Sequence, residues 1–145
     1  MTVLVGYDGS DGAQRALDRA LAEASQRGAR LHVLSVFEMP LDPQVPRFFG
    51  TLDDVTDWEG QPIDPPPELV ELLTAARDRI EAAGVTATYA WAAGEPGRAI
   101  VDAARDVKAE LVVLGEHHHG FLSGLLGTDV AAEVERELGS GVITV

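Results

Sequence analysis

Apolar and polar positions along this chain follow two rhythms, short solid apolar runs and longer stretches at helical spacing. Thr2–Tyr7 (TVLVGY) is nearly continuous and apolar, which predicts a strand buried on both faces. Asp8, Gly9 and Ser10 follow it as turn residues. From Asp11 to Arg27, the apolar residues Ala13, Ala16, Leu17, Ala20, Leu21 and Ala24 recur at helical spacing. Asp11 is the predicted N-cap, with Gln14 in the capping-box position and Gly28 as the stop.

The rhythm then repeats. Leu31–Phe37 predicts a second strand, and Glu68–Ala83 a second helix closed by Gly84, with Leu69, Leu72, Leu73, Ala76 and Ile80 on one face. Between them Glu38–Pro67 is rich in proline and acids and carries Phe48, Phe49 and Trp58, the composition of a long surface loop with at most one helical turn. Thr86–Ala92 alternates as a third strand, and Gly94, Glu95 and Pro96 open a third helix running to Val107. Leu111–Leu114 is a fourth strand, Gly115–Leu126 a loop, Asp129–Leu138 a fourth helix and Val142–Val145 a last short strand. Alternating strands and helices with right-handed crossovers predict one α/β domain spanning residues 1–145, an open parallel sheet with helices on both faces.

Composition narrows the function classes. The apolar fraction of 46% fills a core without staples, and the absence of cysteine excludes disulfides and thiol chemistry and fits a reducing cytoplasm. No stretch approaches a membrane span and no basic leader precedes an apolar run, so the expected location is cytoplasmic. The net charge of −13, with Lys108 the sole lysine, repels a phosphate backbone and argues against nucleic acid. Few lysines beside many acids also predicts a halophilic protein, because concentrated salt screens self-repulsion.

In open α/β sheets ligands bind beyond the carboxyl ends of the strands, where the strand order reverses. Two such ends carry turn chemistry here: Asp8-Gly9-Ser10, and Gly115 with the segment leading to Gly127-Thr128-Asp129. By itself Asp8 reads as a turn residue bonding local amides. Gly127-Thr128 leads into a helix, and two readings stay open: a turn and cap, or an anion site on free amides. A Walker loop is excluded because no lysine stands beside the hydroxyl residue. His117-His118-His119 completes no tetrahedral ligand set, and neither Ser10 nor Ser123 lies in a nucleophile elbow, so neither a metal site nor a catalytic residue is predicted.

These residues resemble the universal stress proteins. VLVGYDGSDGAQRALDRAL is similar to that family's opening strand, acidic turn and helix, Gly94-Glu95-Pro96 to its third-helix turn, and LVVLGEHHHGFLSGLLGTDVAAEV to its nucleotide-loop region. The resemblance implies a five-stranded sheet in the order 3-2-1-4-5, of the adenine-nucleotide alpha-hydrolase-like, Rossmann-like kind, and homodimers joined through the last strand. In one branch it implies ATP binding, with Mg²⁺ or Mn²⁺ accompanying the nucleotide, through a loop G-x2-G-x9-G-[ST]. Gly115, Gly127 and Thr128 match that pattern, His118 stands at its second glycine, and Gly120 is the nearest replacement. The implied adenine or ribose contacts fall on Asp8 and near Val36, and the phosphate contacts on Gly115, Gly120, Gly127 and Thr128.

Two functions follow. One is an ATP-binding stress-response module with a sensing role or at most slow hydrolysis. The other is a nucleotide-free protein-interaction module of the same fold, in which the altered loop and Asp129 at the helix start have removed the ligand.

Overall fold

The computed structural model describes residues 1–38, 49–51, 67–115, 130–139 and 141–145. Its elements in chain order are β1 (Thr2–Gly6), α1 (Asp11–Arg27), β2 (Arg30–Glu38), β3 (Phe49–Thr51), α2 (Pro67–Ala82), β4 (Ala87–Gly94), α3 (Pro96–Asp106), β5 (Leu111–Leu114), α4 (Val130–Leu138) and β6 (Val142–Thr144).

The sheet order is β3-β4-β2-β1-β5-β6. Five of these strands are mutually parallel and reproduce the expected 3-2-1-4-5 order, since β4, β2, β1, β5 and β6 are the five predicted strands. The sixth, β3, is an addition: it lies antiparallel against β4, with Gly50 opposite Trp91, inside the segment expected to be loop.

A solid apolar run makes a central strand because both faces of the sheet are covered. Val3, Leu4 and Val5 of β1 are fully buried, and they divide between two cores. On one face Val3, Val5, Leu31, Val33, Trp91, Leu111 and Val113 meet Ala16, Leu17 and Ala20 of α1 and Leu73, Ala76 and Ile80 of α2. On the other, Leu4, Leu34, Ala92, Val112 and Leu114 meet Ile100, Val101 and Ala104 of α3 and Val134 of α4. Tyr89, on β4, lies under the Arg77 guanidinium at 5.1 Å, so Tyr89 and Trp91 are packing residues.

The ends of α1 show local chemistry at work. Gly28 adopts the left-handed conformation (φ 61) predicted of a stop residue. The N-cap is Ser10, not Asp11: Ser10 is extended (φ −67, ψ 166) and its hydroxyl accepts from the Ala13 amide, while Asp11 already stands inside the first turn. Pro96 occupies the first turn of α3 as expected. No helix among the described residues is long and apolar enough to cross a membrane.

Candidate functional site

The strand order places the candidate site. From β1 the chain moves through β2 to β4 on one side, then crosses back to β5 and β6 on the other, so direction reverses between β1 and β5. In open α/β sheets such a reversal is where ligands bind, beyond the carboxyl ends of the strands.

Asp8 stands there, one residue beyond Tyr7, and is exposed. Tyr7 extends the β1–β2 pairing, its amide donating to the Leu34 carbonyl at 2.9 Å. Its own carbonyl accepts from the buried Ser35 hydroxyl at 2.6 Å. The Asp8 carboxylate accepts from the Ser10 amide at 3.0 Å and the Ser10 hydroxyl at 2.5 Å. The Ser10 hydroxyl in turn accepts from the Ala13 amide at 3.1 Å. Asp8 therefore shapes a turn whose carboxylate faces solvent at a strand end, able to accept a hydroxyl or amine proton from a ligand. The same relay engages the Ser10 hydroxyl as a cap, which argues against its use as a nucleophile.

Gly115 follows β5 directly, at the end of the neighbouring strand. A Cβ there would lie 2.4 Å from the Gly12 carbonyl carbon and 2.9 Å from the Ala13 nitrogen. Its glycine identity thus answers to the backbone of α1, a packing reason. Val36 lies two residues past Leu34, which pairs with Gly6; it is half-buried and packs on the α3 side. β2 continues to Glu38, so Val36 stands short of the strand's end.

The structure thus brings Asp8 and Gly115 to the carboxyl ends of adjacent strands, with Val36 on the neighbouring strand β2, two residues before its end. Gly120, Gly127 and Thr128 lie outside the described residues, as do His117, His118, His119 and Asp129. Among the described residues no group of three or more His, Cys, Asp or Glu could hold a metal ion. His32 sits lower in the sheet, its Nδ1 2.6 Å from the Thr88 hydroxyl, and burial holds its pKa below the usual imidazole value of 6.5.

Two features of the site escaped sequence reading. Ser10 is the cap where the sequence reading puts Asp11, and its only signal is its place after Asp8-Gly9. The second is tertiary: Gly9 is left-handed (φ 78), and a Cβ on it would lie 2.7 Å from Leu72 Cδ1 of α2. Helical spacing assigns Leu72 to a buried face and says nothing of what it covers.

The family model for the universal stress protein family matches residues 1–145. A universal stress protein of Thermus aquaticus is 34% identical over 128 residues, covering 86% of this chain and 82% of its own. Among solved structures, a universal stress protein in complex with cAMP is similar with a TM-score of 0.69 and 32% identity, covering 100% of this chain and 96% of that one. One from Archaeoglobus fulgidus in complex with dAMP has a TM-score of 0.66 and 26% identity, covering 99% and 96% respectively.

Proposed function

The chain belongs to the universal stress protein family, and on that premise we propose that it is an adenine-nucleotide-binding module of the stress response. The observation that carries the reading is the exposed Asp8 carboxylate at the switch point between β1 and β5. The cAMP and dAMP complexes of similar proteins support adenylates as the ligand class. In this reading Asp8 and Val36 meet adenine or ribose, and the amides of Gly115, Gly120, Gly127 and Thr128 meet phosphate. ATP, the triphosphate form of the same ligand, would bring Mg²⁺ or Mn²⁺ with its phosphates.

The role is binding and sensing in the cytoplasm, with hydrolysis at most slow. Copies join as homodimers through Val142–Val145, a strand at the sheet edge that is half-exposed along its length. A second reading is favoured by His118 at the family's second glycine position: a nucleotide-free interaction module. Titration calorimetry of AMP, cAMP and Mg-ATP in high salt separates the two. One-to-one binding heat whose affinity falls but stays measurable in Asp8→Ala supports the first, and silence to millimolar ligand supports the second.

A further inference from the structure

We propose that Leu72 of α2 is a positioning residue for the adenylate site, holding the Asp8-Gly9-Ser10 turn in its binding shape; this rests on the adenylate reading above. The turn is fixed at both ends by hydrogen bonds. Tyr7 is tied to Leu34 and Ser35, and Ser10 to Ala13 and Asp8. Its middle is Gly9, which is left-handed at φ 78. Glycine reaches that conformation at no steric cost, and leaves it as readily, so the peptide beside Asp8 is held by the Asp8–Ser10 hydrogen bonds and by what packs against Gly9.

What bears on Gly9 is Leu72. Around the point where a Gly9 Cβ would stand, the described atoms within 4 Å are Leu72 Cδ1 at 2.7 Å and Leu72 Cγ at 3.8 Å. Leu72 is itself half-buried at the margin of the core that includes Leu69 and Leu73. Its helix is anchored to α1 by polar contacts: Arg79 donates to the Gln14 side-chain oxygen and pairs with Asp18, and Gln14 donates to the Tyr7 hydroxyl at 2.6 Å. These contacts join α2 to α1, and α1 to β1, and Leu72 stands where α2 meets the turn. The Leu72 side chain has no polar atom, and in this proposal it acts through the shape of the turn that carries Asp8.

The experiment compares Leu72→Ala, Asp8→Ala and the double variant by AMP calorimetry and by amide exchange of Ser10 and Ala13 in ligand-free protein. Ile80→Val, a change in the same helix away from the turn, is the control for lost stability alone. Leu72→Ala is expected to weaken AMP about tenfold, the size of a coupling between contacting residues, and to speed exchange at both amides. In the Asp8→Ala background it adds nothing further, Leu72→Met restores affinity, and Ile80→Val lowers Tm with affinity intact. Should Leu72→Ala not fold, Leu72→Val carries the same comparison. Wild-type affinity with wild-type exchange in the Leu72 variant overturns the proposal, as do additive losses in the double variant. If the unaltered protein binds no adenylate, the binding reading fails, and exchange alone then decides whether Leu72 holds the turn.

Discussion

Ser10 carries more than its size suggests, because one hydroxyl both donates to Asp8 and accepts from the Ala13 amide. Replacing it with alanine leaves that amide without its cap, and Ser10→Ala is expected to cost about 1 kcal/mol in chemical denaturation. It also frees Asp8 from one of its donors, so a change in adenylate affinity accompanies the loss. His32 is one residue through which pH reaches the fold. Burial lowers its folded pKa below 6.5, whereas the unfolded chain takes up its proton near that value. Between those two pH values the unfolded state binds more protons, so the contribution of His32 is fully present above the unfolded value. It is lost as pH falls toward the folded value, and is constant below both. The stability difference between wild type and His32→Gln is therefore expected to shrink as pH falls below the unfolded value of 6.5, measured by urea denaturation at each pH.

Between elements, two glycines that look alike in sequence make opposite demands. At Gly115 a methyl group would strike the α1 backbone at Gly12, which cannot move without dragging the helix. Gly115→Ala is thus expected to cost about 2 kcal/mol or more by overpacking between β5 and α1. At Gly97 the obstacle is the Glu133 carboxylate of α4, 2.2 Å from the added carbon but at the end of a flexible side chain. Alanine also suits a helix better than glycine, so Gly97→Ala is expected within about 1 kcal/mol of wild type in the same denaturation assay. The strand and helix alternation was legible because central strands such as Val3–Val5 are buried on both faces, which leaves a solid apolar signature. Phe49–Thr51 was not legible, since three residues in a proline-rich stretch carry no period and pair only once β4 is beside them. The site was legible to the extent that it is local: Asp8 and Gly115 follow strands directly. The placement of Leu72 beside Gly9 joins residues from separate elements, and no spacing announces it.

At the scale of the whole molecule, charge opposes the proposed ligand. The net charge is −13, and most arginines of the described helices are engaged within the protein: Arg19 and Arg27 by Glu23, Arg79 by Asp18, Arg98 by Asp102 and Arg105 by Glu137. Lys108 lies between α3 and β5, at the opposite end of the sheet from Asp8. A triphosphate therefore approaches a negative field, which reaches about 30 Å at 0.01 M salt and about 3 Å at 1 M. Calorimetry across that range is expected to show affinity rising with salt, more steeply for ATP than for AMP, the reverse of an arginine-lined phosphate site. The antiparallel strand β3 has a consequence of another kind, for the order of assembly. It comes from the crossover between β2 and α2, yet its partner is β4, so Gly50 must wait for Trp91, which emerges later in the chain. The remaining sheet closes without it, and β3 is added as the outermost rung on one side. In pulse-labelled refolding its amides are expected to gain protection last, and at equilibrium to open first, a seam along which the molecule comes undone while its parallel centre stays shut.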